Sequence, residues 1–186
     1  MGPTAVETCF EVAFWFLDRA LNDGEYLQPQ KMQRLMYLAQ AYYGVVHAGQ
    51  KLMPGTFVAN VDGPLEPTVY RAFARGRPMV DLKPIEEPAR HLLDSVWRQF
   101  GAYSIEKLDD LVKRHPPYAD AFAAGPSAEI DFESLVAFYG EKPGKRRGAA
   151  VSTTLSAEKV MRPKVMRNAT GKPVSVNRWM PKRASD

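Results

Sequence analysis

The chain has 186 residues, of which 45% are hydrophobic and 11% aromatic, and its formal net charge is +4. This is enough apolar material for a globular core, which excludes a wholly disordered chain. The single cysteine, Cys9, excludes an intrachain disulfide, and the apolar run beside it is too short to span a bilayer. Composition therefore predicts a cytoplasmic protein with no membrane segment.

The charge is divided unevenly along the chain. Residues 1–140 hold 13 Lys and Arg against 18 Asp and Glu, a net of −5, whereas residues 141–186 hold 12 against 3, a net of +9. The second part also contains too few apolar residues to offset the entropy of ordering. We predict a folded acidic domain over residues 1–140 and a basic, flexible, disordered tail over residues 141–186.

The first predicted helix begins near a capping box formed by Thr4 and Glu7 and ends at Asp23 and Gly24. Its outer face carries Glu11 among other acidic residues, which we expect to be solvated. The apolar positions follow a helical period and form the predicted buried face: Val6, Phe10, Ala13, Phe14, Leu17 and Leu21.

The second predicted helix starts at Pro29, since proline suits a first helical position. Its apolar residues recur at helical spacing, and the opposite side is hardly more polar. A helix that is apolar all round is a central one. Only Gln33, Gln40 and His47 are predicted to form a narrow solvated ridge. The predicted core stripe comprises Met32, Leu35, Met36, Ala39, Tyr43 and Val46.

Two cations, Lys31 and Arg34, lie one turn apart near the start of this helix. Positive charge there opposes the helix dipole, so the placement needs another reason. Two interpretations remain open. The side chains either bind a partner or are solvated charges whose stems cover apolar surface.

Residues 55–61 have the composition of a short strand, which Pro64 is predicted to end because proline donates no ladder hydrogen bond. Pro67 is predicted to start a helix, and residues 76–88 read as a loop. Three further helices follow from periodicity and caps, over residues 89–100, from Ser104 to about residue 114, and over residues 132–139 before Gly140. The predicted fold is therefore mainly α: a compact multi-helix domain with a central apolar helix and a short extended or β-hairpin insertion.

The tail contains a direct repeat, in which Lys159–Arg162 recurs as Lys164–Arg167, and it carries a lone Trp179. Short linear motifs and stranded aromatic residues are typical of partner contacts. The alternative is that the tail folds back onto the acidic domain. The predicted second-partner residues are Val160, Met161, Arg162, Val165, Met166, Arg167 and Trp179.

Catalytic and metal-binding patterns are not recognised in the sequence. His47, His91 and His115 stand far apart without carboxylates or cysteines at ligand spacing. No nucleophile elbow, phosphate-binding loop or dinucleotide fingerprint is found either. We predict a protein that is not an enzyme and that carries neither metal nor cofactor.

Several motifs resemble one known family. The sequence KMQRLMYLA from Lys31, the later residues Gly63, Pro64, Pro67 and Tyr70, and IDFESLVAFYG from Ile130 occur in the order shown by the SocA-type antitoxin domain, or Panacea, family. The resemblance covers about residues 7–140. The family's Thr-His or Ser-His pair is replaced by a sequence ending in His115, and a family Trp is replaced by Tyr118.

This resemblance implies an antitoxin of an atypical type II toxin-antitoxin system that binds its cognate toxin directly. It also implies a proteolytic adaptor that delivers the toxin to an AAA+ protease of the ClpXP type. Within this interpretation, we place toxin contact on the folded domain at Lys31, Arg34, Tyr37, Pro64 and Tyr70.

Two other hypotheses remain open. The basic tail is suited to non-specific contact with nucleic acid, as in a protein that represses its own operon. The other hypothesis is that the chain is a small interaction module whose partner is neither a toxin nor a protease.

Overall fold

The computed structural model describes residues 3–141 and 154–162, together with the backbone of residues 165–167 and 173–175. The mainly α fold is confirmed. The helices are α1 (Cys9–Asn22), α2 (Pro29–Val46), α3 (Pro67–Phe73), α4 (Glu87–Phe100), α5 (Ile105–Lys113), α6 (Pro116–Ala124), α7 (Phe132–Gly140) and α8 (Ala157–Met161). The strands are β1 (Val58–Asn60), β2 (Gly63–Leu65), β3 (Ala128–Glu129), β4 (Val165–Arg167) and β5 (Pro173–Ser175).

Helix α2 is the central element, as predicted. Pro29 occupies its first turn after an extended Gln28, and the helix contacts α1, α4, α5, α7 and β2. The predicted solvated ridge is wrong at Gln33 and Gln40, which are buried. Gln40 receives a hydrogen bond from the Met53 amide (3.0 Å) and donates one to the Met53 carbonyl (3.1 Å). A buried amide side chain thus satisfies the backbone of a neighbouring loop.

Helix α1 begins four residues later than predicted. Its capping box is formed by Thr8 and Glu11, because the amides of Ala5 and Val6 donate to the carbonyls of Lys51 and Leu52 and hold these residues outside the helix. Glu11, which was expected to be solvated, is buried at this cap, and Leu21, which was expected to be buried, is 70% exposed in the last turn of the helix.

The predicted hairpin insertion is confirmed, but its second strand differs from the prediction. Strand β1 pairs antiparallel with both β2 and β3, and Ala59 lies opposite Pro64. Pro64 therefore lies within a strand instead of ending one. Strand β2 is an edge of this three-stranded sheet, where a missing N–H costs no ladder hydrogen bond.

The helices after the hairpin lie where periodicity placed them, with one addition. Ser104 caps α5 by accepting a hydrogen bond from the Lys107 amide (3.3 Å), as predicted. His115, Pro116 and Pro117 end that helix, and the two prolines also open the unpredicted helix α6. Proline favours a first helical turn, so the same residues serve both as a stop and as a start.

Part of the predicted tail packs against the domain. Ser156 caps α8, Val160 is fully buried, and α8 contacts both α4 and α2. The Tyr42 hydroxyl donates a hydrogen bond to the Leu155 carbonyl (2.9 Å). The expectation of a disordered tail is therefore wrong for residues 154–162, which complete the hydrophobic core.

The part of the chain that the structure describes contains no helix with the length and apolar content needed to cross a membrane.

Candidate partner-binding surface

The fold buries three of the five residues that were predicted to bind a partner through the domain. Arg34 is only 2% exposed, and Tyr37 and Pro64 are also buried. These three side chains cannot touch a partner of the folded protein, so their assignment as contact residues is wrong. The physical reason is the central position of α2, which turns its early residues toward the hairpin and away from solvent.

Arg34 holds the hairpin from inside. Its Nε lies 2.6 Å from Asp109 Oδ1 on α5, and its Nη1 donates a hydrogen bond to the Pro64 carbonyl (3.1 Å). Gly63 has a φ of +118° and sits against the guanidinium, where a Cβ atom would come within 2.5 Å of its carbon. Only glycine fits this backbone and this contact. We call Arg34, Asp109, Gly63 and Pro64 the hairpin anchor.

Neighbouring side chains support the same turn. Lys113 donates to the Val61 carbonyl (3.1 Å) and lies 3.5 Å from Asp109, while the Tyr118 hydroxyl donates to the Asn60 carbonyl (2.5 Å). Helices α2, α5 and α6 therefore each hold one carbonyl of the hairpin. The early motif of α2 and the later Gly-Pro pair form one structural unit.

Lys31 also has a structural partner. It is half-buried, and its Nζ donates a hydrogen bond to the Gly101 carbonyl (2.5 Å) at the end of α4. Burial lowers the pKa of this ammonium group. A cation at the carboxyl end of a helix interacts favourably with the helix dipole, which explains the charge without a partner.

Of the five predicted residues on the domain, Tyr70 is the one with a largely accessible side chain, at 52% exposure. It opens a segment, residues 70–80, that also exposes Arg71 and Arg75 and ends in Met79 and Val80. Met79 is fully exposed. Basic and apolar side chains thus share one exposed stretch of an otherwise acidic domain.

Ion pairs on both sides of Met79 join the loop to α1 and to the residues just before it. Arg77 lies over the Phe14 ring, 4.5 Å from its centroid, and is 2.8 Å from Asp18. Lys83 is 2.6 Å from Glu7. A cavity of about 520 Å³ lies beside the loop, lined by Phe14 and residues 77–81. This feature was not predicted, and its sequence signal is the apolar pair Met79 and Val80 between two prolines of a polar loop.

A second cluster of side chains joins residues 154–162, which return to the domain, to its core. His115 is fully buried, with Nδ1 2.9 Å from the Tyr139 hydroxyl and Nε2 2.8 Å from Thr154 Oγ1. We call His115, Tyr139 and Thr154 the return anchor. The two hydroxyl partners of His115 come from other parts of the chain.

The predicted second-partner residues of the tail have different surroundings. Val160 is fully buried and Met161 packs partly against the core, so the first copy of the repeat is not a free motif, contrary to the prediction. Arg162 is exposed. Val165, Met166 and Arg167 form β4, which pairs with β5, and Trp179 lies outside the described residues.

Burial keeps two titratable groups of the interior, the Cys9 thiol and the Tyr37 hydroxyl, in their neutral forms. Burial raises the pKa of the Cys9 thiol to about 12, aided by the nearby Glu66 carboxylate. Burial also raises the pKa of the Tyr37 hydroxyl above its ordinary range. Within residues 3–141 and 154–162, no three His, Cys, Asp or Glu side chains are grouped to hold a metal ion.

Comparisons of the chain with protein-family models, with curated proteins and with solved structures find no match. The resemblance to the SocA-type family therefore depends on the sequence motifs alone.

Proposed function

We propose that this protein is an antitoxin of an atypical type II toxin-antitoxin system, binding its cognate toxin through residues 70–80 and delivering it to a ClpXP-type AAA+ protease. The sequence motifs support the class of function. The exposed segment supports the location of the toxin contact, because it retains Tyr70 from the original set and supplies the accessible side chains that the buried residues lack.

The observation that carries the location is the exposure of Met79 between two fastened points, Arg77 and Lys83. The two flanking ion pairs limit the freedom of the loop backbone, so less conformational entropy is lost when the loop associates with a partner. Aromatic residues, methionine and arginine are also enriched at protein interfaces. The expected toxin surface is apolar at its centre and acidic at its margin, complementing Arg71 and Arg75.

Delivery requires a second contact, which we assign to the chain beyond α8. Because α8 is part of the core, the tether begins after Arg162 and comprises the last 24 residues, with Val165, Met166, Arg167 and Trp179 as its contact residues. Joining a cargo site to a protease site by a short linker raises their effective concentration into the millimolar range.

The toxin contact is tested by co-purification with the product of the adjacent gene. Replacing Tyr70 by Ala and Met79 by Asp together should weaken toxin binding by at least about tenfold, since both changes remove exposed apolar surface from the contact centre. Tyr26→Ala is the control, because Tyr26 is more exposed than Tyr70, at 83%, and lies outside the segment. Equal toxin retention by both variants would contradict this location.

The delivery step is tested by truncation after Arg162, followed by incubation with toxin, protease and ATP. Toxin binding should persist and toxin degradation should stop. Truncation at Gly140 is a poorer test, since it also removes the buried Val160. Undiminished degradation by the protein truncated after Arg162 would overturn the tether assignment.

The net charge of +9 over residues 141–186 favours nucleic-acid contact as the alternative function. Such binding would be non-specific and would fall steeply with salt. Absence of DNA binding at low salt, measured by fluorescence anisotropy, would exclude it.

A further inference from the structure

A groove on the domain lies away from residues 70–80. It has a volume of about 1210 Å³ and runs between the chain after α2 and the first half of α7. Its apolar surface comes from Pro54 and Ala48 on one side and from Phe132, Val136 and Ala137 on the other. A space of this size and form suits a short peptide segment better than a single side chain.

The margin of the groove is acidic. Glu129, Asp131 and Glu133 line it, and all three are exposed. The Ser134 amide donates a hydrogen bond to the Asp131 carboxylate (2.7 Å), which lowers the pKa of that group and keeps it ionised. One lysine, Lys51, is also among the described lining residues and carries the opposite charge. Its Nζ lies 5.2 Å from the centroid of the Phe132 ring.

We propose that the groove binds the C-terminal segment of the same chain, Arg178–Arg183. This sequence, RWMPKR, combines an aromatic and a thioether side chain with three cations. Trp179 and Met180 match the apolar surface, and the flanking cations match the acidic margin. The other strongly basic run, Lys142–Arg147, has the charge but no large apolar side chain beyond proline.

The chain that leads to this segment returns to the domain near the groove wall. In the β4–β5 pair, Val165 lies opposite Ser175, so the chain leaves this hairpin close to where it enters. Three residues from Arg162 to Val165 and three from Ser175 to Arg178 span roughly 20 Å when extended. Leu155 is bonded to Tyr42, and His47 in the groove wall is five residues farther along α2, or about 7.5 Å.

Docking of this segment is independent of toxin and protease, and it goes beyond the proposed function. While Trp179 occupies the groove it is withheld from any second partner, so the contact is autoinhibitory. The high effective concentration of a tethered segment allows a contact that is weak between separate molecules to be occupied within one chain.

The test uses the full-length chain with the photo-reactive residue p-benzoylphenylalanine replacing Trp179, which keeps an aromatic group at this position. After irradiation, mass spectrometry should find cross-links to residues 48–54 or 129–137 within a monomer. Cross-links confined to other regions, or none, would overturn the proposal. Cross-links found only between two chains would also overturn it, since a second copy would then be the occupant.

Charge variants test the specificity of docking. The double variant E129K/E133K should lower the cross-link yield by about tenfold, because it places like charges beside the segment. The matched control is E106K/D110K on α5, which makes the same change in net charge on exposed residues that do not line the groove and should leave the yield within about twofold. Equal losses of cross-link yield in both variants would show that the contact is general charge attraction and would refute docking in the groove.

A competing peptide gives a second readout on the unaltered groove. Excess peptide of residues 176–186 should suppress the cross-link, and the same peptide with Trp179→Ala should be at least about tenfold less effective, since the aromatic anchor supplies most of the contact. Equal potency of the two peptides would show that Trp179 does not enter the groove.

Discussion

The hairpin anchor and the return anchor lie in the same domain, yet they fasten the chain by different chemistry. The first buries the charged Arg34 against Asp109 and a strained glycine. The second joins His115 to the hydroxyl groups of Tyr139 and Thr154. Loss of one partner from a buried ion pair costs about 3–5 kcal/mol, whereas an ordinary hydrogen bond contributes about 0.5–1.5 kcal/mol.

This contrast indicates how each region opens. The hairpin is held by carbonyl contacts from three helices and should be released only on global unfolding. Residues 154–162 depend on a short helix, one buried valine and hydrogen bonds to side chains, so they should open locally at lower free energy. The segment that leads into the basic tail is thus the more readily detached of the two.

The largest effect is expected from Arg34→Met. The substitution removes the closer of the two cations paired with Asp109, which keeps Lys113, and takes the guanidinium donor from the buried Pro64 carbonyl, so the free energy of unfolding measured in urea should fall by about 3 kcal/mol. Arg114→Met is the control, since Arg114 pairs with Asp110 at the surface, and should change stability by less than about 0.5 kcal/mol. Similar small losses in both would mean that the hairpin anchor does not hold the fold.

Val160→Ala tests the return of the chain onto the core. Removing two buried carbon atoms should lower the free energy of unfolding by about 2 kcal/mol. The matched control is Val46→Ala, because Val46 is 41% exposed and should contribute less than about 0.5 kcal/mol. If the two variants are equally stable in urea, α8 is not packed against α2 and α4.

The free energy of unfolding should also fall at alkaline pH because of a buried thiol on the hairpin side. Cys9 lies beside Glu66, the residue that follows β2, and its pKa is raised from 9.0 to about 12. The folded state therefore keeps a proton that the unfolded chain releases, so this stabilisation is complete below pH 9 and is lost progressively between pH 9 and 12. By pH 10 the loss should reach about 1.4 kcal/mol.

Urea unfolding at pH 8, 9 and 10 measures this dependence. Cys9→Ala should remove the cysteine contribution and leave the part due to the buried Tyr37 hydroxyl, whose pKa is also raised. An unchanged pH slope in Cys9→Ala would show that the thiol is not shielded in the folded state.

The smallest effect on global stability is expected from Thr154→Val, about 1 kcal/mol, because the change removes one hydrogen bond and keeps the side-chain shape. Its local effect should be larger. Hydrogen exchange should show reduced protection of the amides of Val160 and Arg162, with α2 unaffected. Thr68→Val, at an exposed position on α3, serves as control. Uniform loss of protection across the domain would contradict independent opening.

Elements with strong local signals were predictable from the sequence. Pro29 and an apolar surface on all sides identified α2 as the central helix, and Ser104 marked the start of α5. The first helix was misplaced because Thr4 and Thr8 present the same capping pattern, and the choice between them depends on the carbonyls of Lys51 and Leu52. Such a long-range contact leaves no trace in the local periodicity.

The candidate site was harder to predict for the same reason. The burial of Arg34 depends on Asp109, 75 residues away, and on Pro64, 30 residues away. The exposure of Met79 depends on ion pairs that join its loop to Asp18 on α1 and to Glu7 before that helix. A residue's type shows which interactions it is able to make, but its partners depend on how the helices pack.

Local sequence alone specified most of the helices, the hairpin and the division into acidic and basic parts, since propensity, periodicity and charge are properties of neighbouring residues. Packing settled which charges are buried and where the core ends. The packing of the helices buries Arg34, Tyr37 and Val160, because burial depends on contacts between residues far apart in the chain.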